Sequence, residues 1–239
     1  MIKIRMEKVG NQHLYYVEGD PLITEGSPLP SCTAISGFVE KDSNGLIYWG
    51  IDQYIASLEA GKPDRKAFVT SRKESGDMGT HIHAEIEYFI AEKQWPDNPS
   101  RPFSNWYAAM NERVSKWIVA EQMIYHGELG YGGTADSIGM VDGKRTLFDW
   151  KTANLLDKDG KRKKAKDVGY LGHASQLGGY LLGLEYMGEP VEQAAVVYIG
   201  RDEAVPGVEW KWVDTEVAKA LFTASLGVYK ATHKVQAWI

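Results

Sequence analysis

Apolar and polar residues alternate on both sides of Asp142-Gly143, from Gly132 to Val141 and from Lys144 to Thr152. That is the pattern of two half-buried strands joined by a two-residue turn in which both positions need positive φ. Counting outward, Val141 faces Lys144 and Asp136 faces Asp149, at a non-hydrogen-bonded pair where Cα atoms approach to ~4.5 Å. Asp149 and Lys151 then share one face of their strand, and Phe148 and Trp150 the other. Upstream, Ile2 to Val9 and His13 to Val17 read as strands around Gly10-Asn11. Prolines 21, 28 and 30 interrupt the chain, and Ser31 can cap a short helix. Leu46 to Ala60 has helical apolar spacing in Ile47, Trp49, Ile51, Tyr54, Ile55 and Leu58. A further helix starts at Asp77 or Thr80 and runs to about Ala91, burying Ile82, Ile86, Phe89 and Ile90. Asn105 to Lys116 is helical, and Trp117 to Tyr125 is a strand. Beyond the central hairpin come a basic loop, a helix from His173 to Tyr186, strands Ala194 to Gly200 and Val208 to Val213, and a helix from Thr215 to Thr232. Helices, then strands, a helix and further strands imply an α/β layer architecture.

Like charges directly opposite in a sheet repel, so the Asp136/Asp149 pair needs a reason. A divalent cation removes the conflict, because Mg²⁺ or Mn²⁺ takes oxygen ligands and is held by one or two carboxylates with waters and phosphate completing the shell. The same pattern also suits a hairpin with Asp, Asp and Lys on a solvated face. Gly132-Gly133 allows close backbone approach. His83 lies on the predicted helix with Glu87 one turn further on the same side, and adds a nitrogen ligand only if that helix packs beside the hairpin. His81 points elsewhere, and the chain has no His-Glu-x-x-His. Glu121 sits in the preceding strand, where antiparallel pairing brings it near Asp136; it also reads as a polar residue on a half-exposed strand.

Composition narrows the choices. With 239 residues, 44% hydrophobic and 25% charged, the chain has the make-up of a soluble globular protein with a normal core. A single cysteine, Cys32, excludes an internal disulfide and cannot by itself build a zinc or iron–sulfur site. No run of about 18 apolar residues exists and the first residues lack a signal-peptide core. Those features lead to the expectation of a cytoplasmic protein without membrane association. A net charge of −5 argues against broad adhesion to nucleic acid without excluding a local basic groove. Lys158, Lys161, Arg162, Lys163, Lys164 and Lys166 form such a run directly after the hairpin, either solvated or attracting phosphate. Gln176 and Tyr180, four apart on the following helix, share a face and can both hydrogen-bond phosphate or sugar. There is no G-x-x-x-x-G-K-[ST] loop and no Gly-x-Ser-x-Gly.

In chain order, Gly79-Thr80-His81-Ile82-His83, Gly133-Thr134-Ala135-Asp136, Asp149-Trp150-Lys151-Thr152 and Gln176-Leu177-Gly178-Gly179-Tyr180 resemble the G-x-x-x-H, G-x-x-D, D-x-K and Q-x-x-x-Y elements of the RecB-like branch of the PD-(D/E)XK nucleases. Tyr15-Tyr16-Val17-Glu18-Gly19, Leu29 to Ile35 and Trp49 look like the lead-in of phage-encoded exonucleases related to the mitochondrial genome maintenance exonuclease. The resemblance implies a restriction-endonuclease-like core, a central mixed β-sheet flanked by helices, with an N-terminal β-hairpin and helical elaboration. It implies one nuclease domain over 1–239, with 1–76 as elaboration and 77–239 as core. It further implies Mg²⁺ or Mn²⁺ held by His83, Asp136, Asp149 and the Trp150 carbonyl, and Lys151 orienting the attacking water. Glu121 resembles an acidic position of this branch, and Gln176, Tyr180 and the cations Lys161, Arg162, Lys163 and Lys164 would hold DNA. The implied activity is a metal-dependent DNA exonuclease of phage type, acting in recombination, processing or degradation, with a phage recombination or single-strand-binding protein as a candidate partner. A flap or other endonuclease of the same fold, or a non-catalytic DNA-binding protein, remains the alternative. The iron–sulfur cluster that CRISPR-associated and helicase-linked relatives often add is excluded by the single cysteine.

Overall fold

A computed structural model of the chain describes residues 2–38, 43–157, 160–163, 171–201 and 207–236, without the side chains of 43–47, 49 and 234–236. In chain order its elements are β1 (Lys3–Val9), β2 (Gln12–Glu18), β3 (Leu29–Pro30), α1 (Cys32–Ser36), α2 (Ser43–Glu59), α3 (Ala67–Glu92), α4 (Arg101–Asn111), β4 (Val114–His126), β5 (Tyr131–Val141), β6 (Lys144–Ala153), α5 (Leu171–Tyr186), β7 (Gln193–Gly200), β8 (Val208–Val213) and α6 (Thr215–Gln236). The turn between β5 and β6 forms with φ of 50° at Asp142 and 77° at Gly143, and Val141 faces Lys144.

Five strands make a mixed sheet in the order β4-β5-β6-β7-β8. Only β6 and β7 run parallel, and α5 supplies the crossover that a parallel pair requires. Helices cover both faces. On one, Leu177, Leu181 and Leu184 of α5 and Phe222 and Leu226 of α6 pack over Ile138, Leu147 and Val196. On the other, Ile82, Ile86 and Ile90 of α3 and Phe103 and Trp106 of α4 pack over Phe148, Trp150 and Val197. Phe148 and Trp150 are stacked at 5.1 Å and pin β6 into this second, aromatic core. The central mixed sheet flanked by helices is the arrangement expected of a restriction-endonuclease-like core.

Two boundaries differ from the sequence pattern. Helix α3 begins ten residues before Asp77, because its first half is supported by α2: Phe68 lies under Gly50, and the Ser71 hydroxyl donates to Gln53 Oε1 at 2.8 Å. The expected division after residue 76 therefore falls inside a continuous helix. Helix α4 ends at Asn111, not Lys116, because Val114 and Lys116 already pair with Val141 and Met140. At its start the Ser100 backbone and hydroxyl both donate to the buried Glu85 carboxylate, at 2.7 and 2.5 Å, tying α4 to α3.

The small sheet β1-β2-β3 docks on the free side of β5. Ser31 forms a parallel bridge to Gly132, and the Tyr15 and Thr134 hydroxyls are 2.9 Å apart. The two glycines of β5 admit neighbours. A Cβ on Gly132 would lie 2.5 Å from Tyr15 Cβ, and one on Gly133 would lie 2.8 Å from the Tyr180 ring and 2.9 Å from Cys32 Sγ. Close approach at this pair thus serves packing of the N-terminal sheet, α1 and α5.

Where α5 crosses α6, Gly178 faces the Ala218 backbone carbonyl so closely that a methyl group there would overlap it. Gly178→Ala is expected to lower stability by about 1–3 kcal/mol through overpacking. Gly227→Ala, at an exposed helical position with open space around it, is expected to raise it by up to about 1 kcal/mol. Urea unfolding of both variants checks the opposed signs.

Candidate functional site

The β5–β6 ladder runs from Val141↔Lys144 to Ser137↔Phe148 and stops there, although both strands continue. Beyond that point β5 stays paired to β4, and β6 to β7. The two central strands therefore part into a fork. At its apex the Trp150 backbone N–H donates to Asp136 Oδ2 at 2.7 Å, so a carboxylate takes the amide that a strand carbonyl would otherwise take. A strand residue directs its N–H and C=O to the same side, which turns the Trp150 carbonyl toward the same fork.

Strand β4 is kinked beside this apex. Ala120 packs in the α3–α4 core and Ile124 in the α5–α6 core, although residues four apart on a regular strand share a face. Ala135 and Val141 of β5 change sides in the same way. The change centres on Glu121, whose φ of 49° is left-handed; Ala120↔Ser137 and Gln122↔Ala135 keep one register on either side of it, with Glu121 and Asp136 unpaired to each other between them. Both strands turn together, swinging Glu121 and Asp136 toward α3. A non-glycine residue there costs roughly 1–3 kcal/mol, a strain that collects at functional sites.

His83, Glu121 and Asp136 each offer a ligand atom, and these atoms lie within 4.8 Å of one another. The His83 Nδ1–Asp136 Oδ1 separation is 3.8 Å. Gly79 brings His83 here: a Cβ at Gly79 would lie 3.3 Å from Thr152 Oγ1, so the bare backbone lets α3 sit on the end of β6. Ligands of Mg²⁺ are about 3 Å apart when adjacent and about 4.2 Å apart when opposed, so this set would close on a hard divalent cation after its side chains draw together by on the order of an ångström. Two carboxylates and one imidazole suit Mg²⁺ or Mn²⁺ better than a thiol-seeking metal.

Asp149, opposite Asp136 by register, is turned instead to Lys151. Its oxygens lie 2.8 and 2.7 Å from Lys151 Nζ, and the carboxyl is fully buried. Of the carboxylate pair anticipated from the hairpin, Asp136 gathers with Glu121 and His83 while Asp149, still close enough to feel the Asp136 charge, is held by Lys151. Burial raises the Asp149 pKa, Lys151 opposes that, and Asp136 adds to it. Glu121 is exposed at its rim, yet desolvation of its carboxyl, then Asp136 and then Glu87 push it up to about 7.

Gln176 Nε2 donates to the Tyr180 hydroxyl at 2.6 Å. Tyr180 itself is buried, its pKa held well up by burial and then by Asp149 and Asp136. In this structure the Tyr180 hydroxyl is covered and holds the Gln176 amide. In the basic run, Arg162 Nε is paired with Glu209 at 2.8 Å and Lys163 Nζ donates to the Asn154 carbonyl at 3.1 Å. Lys161 is exposed, and Lys158, Lys164 and Lys166 lie outside the described residues. His173, which no motif singled out, is half-buried on α5 with Nδ1 3.1 Å from the Tyr198 hydroxyl. Burial and then Lys151 push it down to about 4, which keeps a neutral ring behind the Asp149–Lys151 pair. Its only signal in the sequence is its place in the first turn of the helix that carries Gln176.

No protein-family model and no curated protein matches the chain. Among solved structures it is similar to LHK-Exo in complex with dAMP, at 16% identity over 87% of this chain and 89% of that one, with a TM-score of 0.40. It is similar also to a phage related exonuclease from Haemophilus somnus, at 14% identity over 86% and 95%, with a TM-score of 0.34. Likeness at these scores is too loose to fix residue equivalences. Among the described residues no helix is long and apolar enough to cross a membrane.

The strain and the charge at Glu121 each have a measurable consequence. Glycine adopts φ of 49° freely, so Glu121→Gly is expected to be about 1–2 kcal/mol more stable than Glu121→Ala in denaturant unfolding. The folded chain holds a proton on Glu121 up to about pH 7 that the unfolded chain releases near 4.5. That stabilisation is complete below 4.5 and lost as pH rises through 7. Because bound Mn²⁺ takes the proton's place, the Tm gain from added Mn²⁺ is expected to be larger at pH 8 than at pH 6. Glu121→Gln is expected to erase most of the difference in thermal melts.

Proposed function

We propose that the chain is a divalent-metal-dependent deoxyribonuclease of PD-(D/E)XK type, RecB-like branch, acting as an exonuclease on DNA ends in phage-type recombination, processing or degradation. The observation that carries this reading is the meeting of His83, Glu121 and Asp136 in a fork whose other wall holds the Asp149–Lys151 pair. Those residues come from four separate elements, and the D-x-K spacing is the one that the resemblance assigns to a nuclease.

Phosphodiester hydrolysis needs a nucleophilic water, stabilisation of charge on the phosphoryl oxygens, and compensation at the leaving oxygen. His83, Glu121 and Asp136 would hold Mg²⁺ or Mn²⁺, with the Trp150 carbonyl and Asp149 as further oxygen donors carried over from the resemblance. Bound there, the cation supplies Lewis-acid polarisation of the phosphate. Lys151 is partly exposed above a buried carboxylate, so its ammonium is fixed in direction and can meet both the attacking water and a phosphoryl oxygen. The neutral His173 behind it adds no competing positive charge. Gln176, oriented by Tyr180, presents its amide on the same α5 face toward the substrate backbone.

Asp136→Asn and Lys151→Ala are each expected to lower cleavage by at least about 10³-fold, with the fold intact by circular dichroism. A time course on end-labelled linear DNA beside a closed circle, with Mg²⁺, Mn²⁺ or EDTA, reads the activity. Loss of linear DNA with the circle spared supports the exonuclease reading. Cleavage of the circle replaces it with an endonuclease, and binding without any cleavage replaces it with a DNA-binding protein.

A further inference from the structure

The apolar spacing of α2 predicts the helix correctly but not the face it buries. Helix α2 rests on α3 through Gly50, which meets Phe68, and Gln53, which meets Ser71, while the Ser57 hydroxyl accepts from the Asp64 backbone in the connecting loop. Ile51, Tyr54, Ile55 and Leu58, the i, i+3, i+4, i+7 stripe of an amphipathic helix, are 36–48% exposed. Tyr48 extends the stripe. Among the described residues, the main packing of α2 is on α3, so α2 and the first half of α3 form a helical arm standing off the core.

The tip of that arm is basic. Residues 59–74 hold Lys62, Arg65, Lys66, Arg72 and Lys73 against three acids, Glu59, Asp64 and Glu74, in a chain whose net charge is −5. All five cations are exposed, and among the described residues none is in an ion pair. Arg162, in the loop expected to attract phosphate, is by contrast already paired with Glu209. The arm's root is the site itself, since α3 continues from Lys66 to His83 over about 25 Å.

We infer that the arm is a binding element for single-stranded DNA leading to the fork, with phosphates on the basic tip and unstacked bases on the Tyr48–Leu58 stripe. Aromatic side chains beside a cluster of cations are the combination that single strands use, because their bases expose π-faces that a duplex keeps stacked; Tyr48 and Tyr54 supply the rings, and Ile51, Ile55 and Leu58 the apolar surface between them. A duplex would engage the tip alone. The inference takes from the proposed function only that the substrate is DNA, and its test reads binding.

The experiment measures anisotropy of a fluorescein-labelled 20-mer, single-stranded and duplex, in EDTA over a range of salt. Three proteins are compared: wild type, a tip variant (Lys62→Gln, Arg65→Gln, Lys66→Gln, Arg72→Gln, Lys73→Gln) and a stripe variant (Ile51→Ser, Tyr54→Ser, Ile55→Ser). Neutralising the tip is expected to weaken single-strand binding about tenfold or more and to flatten the salt slope by about 0.7 for each phosphate no longer neutralised. The stripe variant is expected to weaken single-strand binding at least about fivefold with the slope kept and duplex binding unchanged. Unchanged affinity in either variant, or no single-strand binding by wild type, overturns the inference. So does a shift from dimer to monomer in sedimentation of the stripe variant, which would mean that a second copy covers the stripe. Hydrolysis of bis-p-nitrophenyl phosphate with Mn²⁺, run in parallel, separates the two readings: its absence in wild type counts against the nuclease and leaves the arm measurement standing.

Discussion

The hydrogen bond from the Trp150 amide to the Asp136 carboxylate is the contact on which the rest of the molecule turns. It ends the ladder between the two central strands and so holds open a fork in the middle of a sheet, where an unpaired backbone amide would otherwise be costly. Each wall of the fork is held from outside. Phe148 and Trp150 anchor β6 in the aromatic core under α3 and α4, while β5 stays paired to β4 and receives Tyr15, Cys32 and Tyr180 against its two glycines. The N-terminal sheet therefore supports β5 along the stretch of its edge that β6 leaves.

Charge makes the fork locally unfavourable. Asp136, Glu121, Glu87 and the buried Asp149 interact with one another, and the nearest counter-charge, Lys151, is committed to Asp149. Glu121 adds backbone strain to this repulsion. A fold that keeps a kinked strand and crowded carboxylates has a cation to gain from them. A cation held by this donor set would remove the repulsion and offset the strain, so the residues that lower the stability of the fork and those that would bind a metal are the same.

The contrast between the two halves of α3 has a similar logic. Its second half is sealed by Ile82, Ile86 and Ile90 against the sheet, which fixes His83 at the fork. Its first half has only α2 for support, and α2 turns its apolar stripe outward. One continuous helix thus joins a rigid end at the chemistry to a lightly supported end carrying cations.

Local rules were enough for the central hairpin near its turn, since Asp142-Gly143 and period-two alternation specify turn and register from Val141↔Lys144 to Ser137↔Phe148. They were enough also for Ser31 as a cap and for β8 to the residue. The site was legible as far as residue types at short spacing could carry it: Asp136, Asp149, Lys151 and His83 stood out because each belongs to a compact motif. Tertiary structure decided the rest. Which carboxylate joins His83 depends on a kink at Glu121 that involves two strands at once, and Asp149 is drawn to Lys151 through burial that no neighbour in sequence reports. Helix α3 starts early because α2 supports its first turns, at Phe68 and Ser71, which would fray alone. Spacing makes α2 a helix, but which of its faces meets another element is settled by the partner, and its apolar side was left facing out. Sequence pattern determines what a few adjacent residues do to one another; contacts between residues a hundred positions apart determine what those groups become.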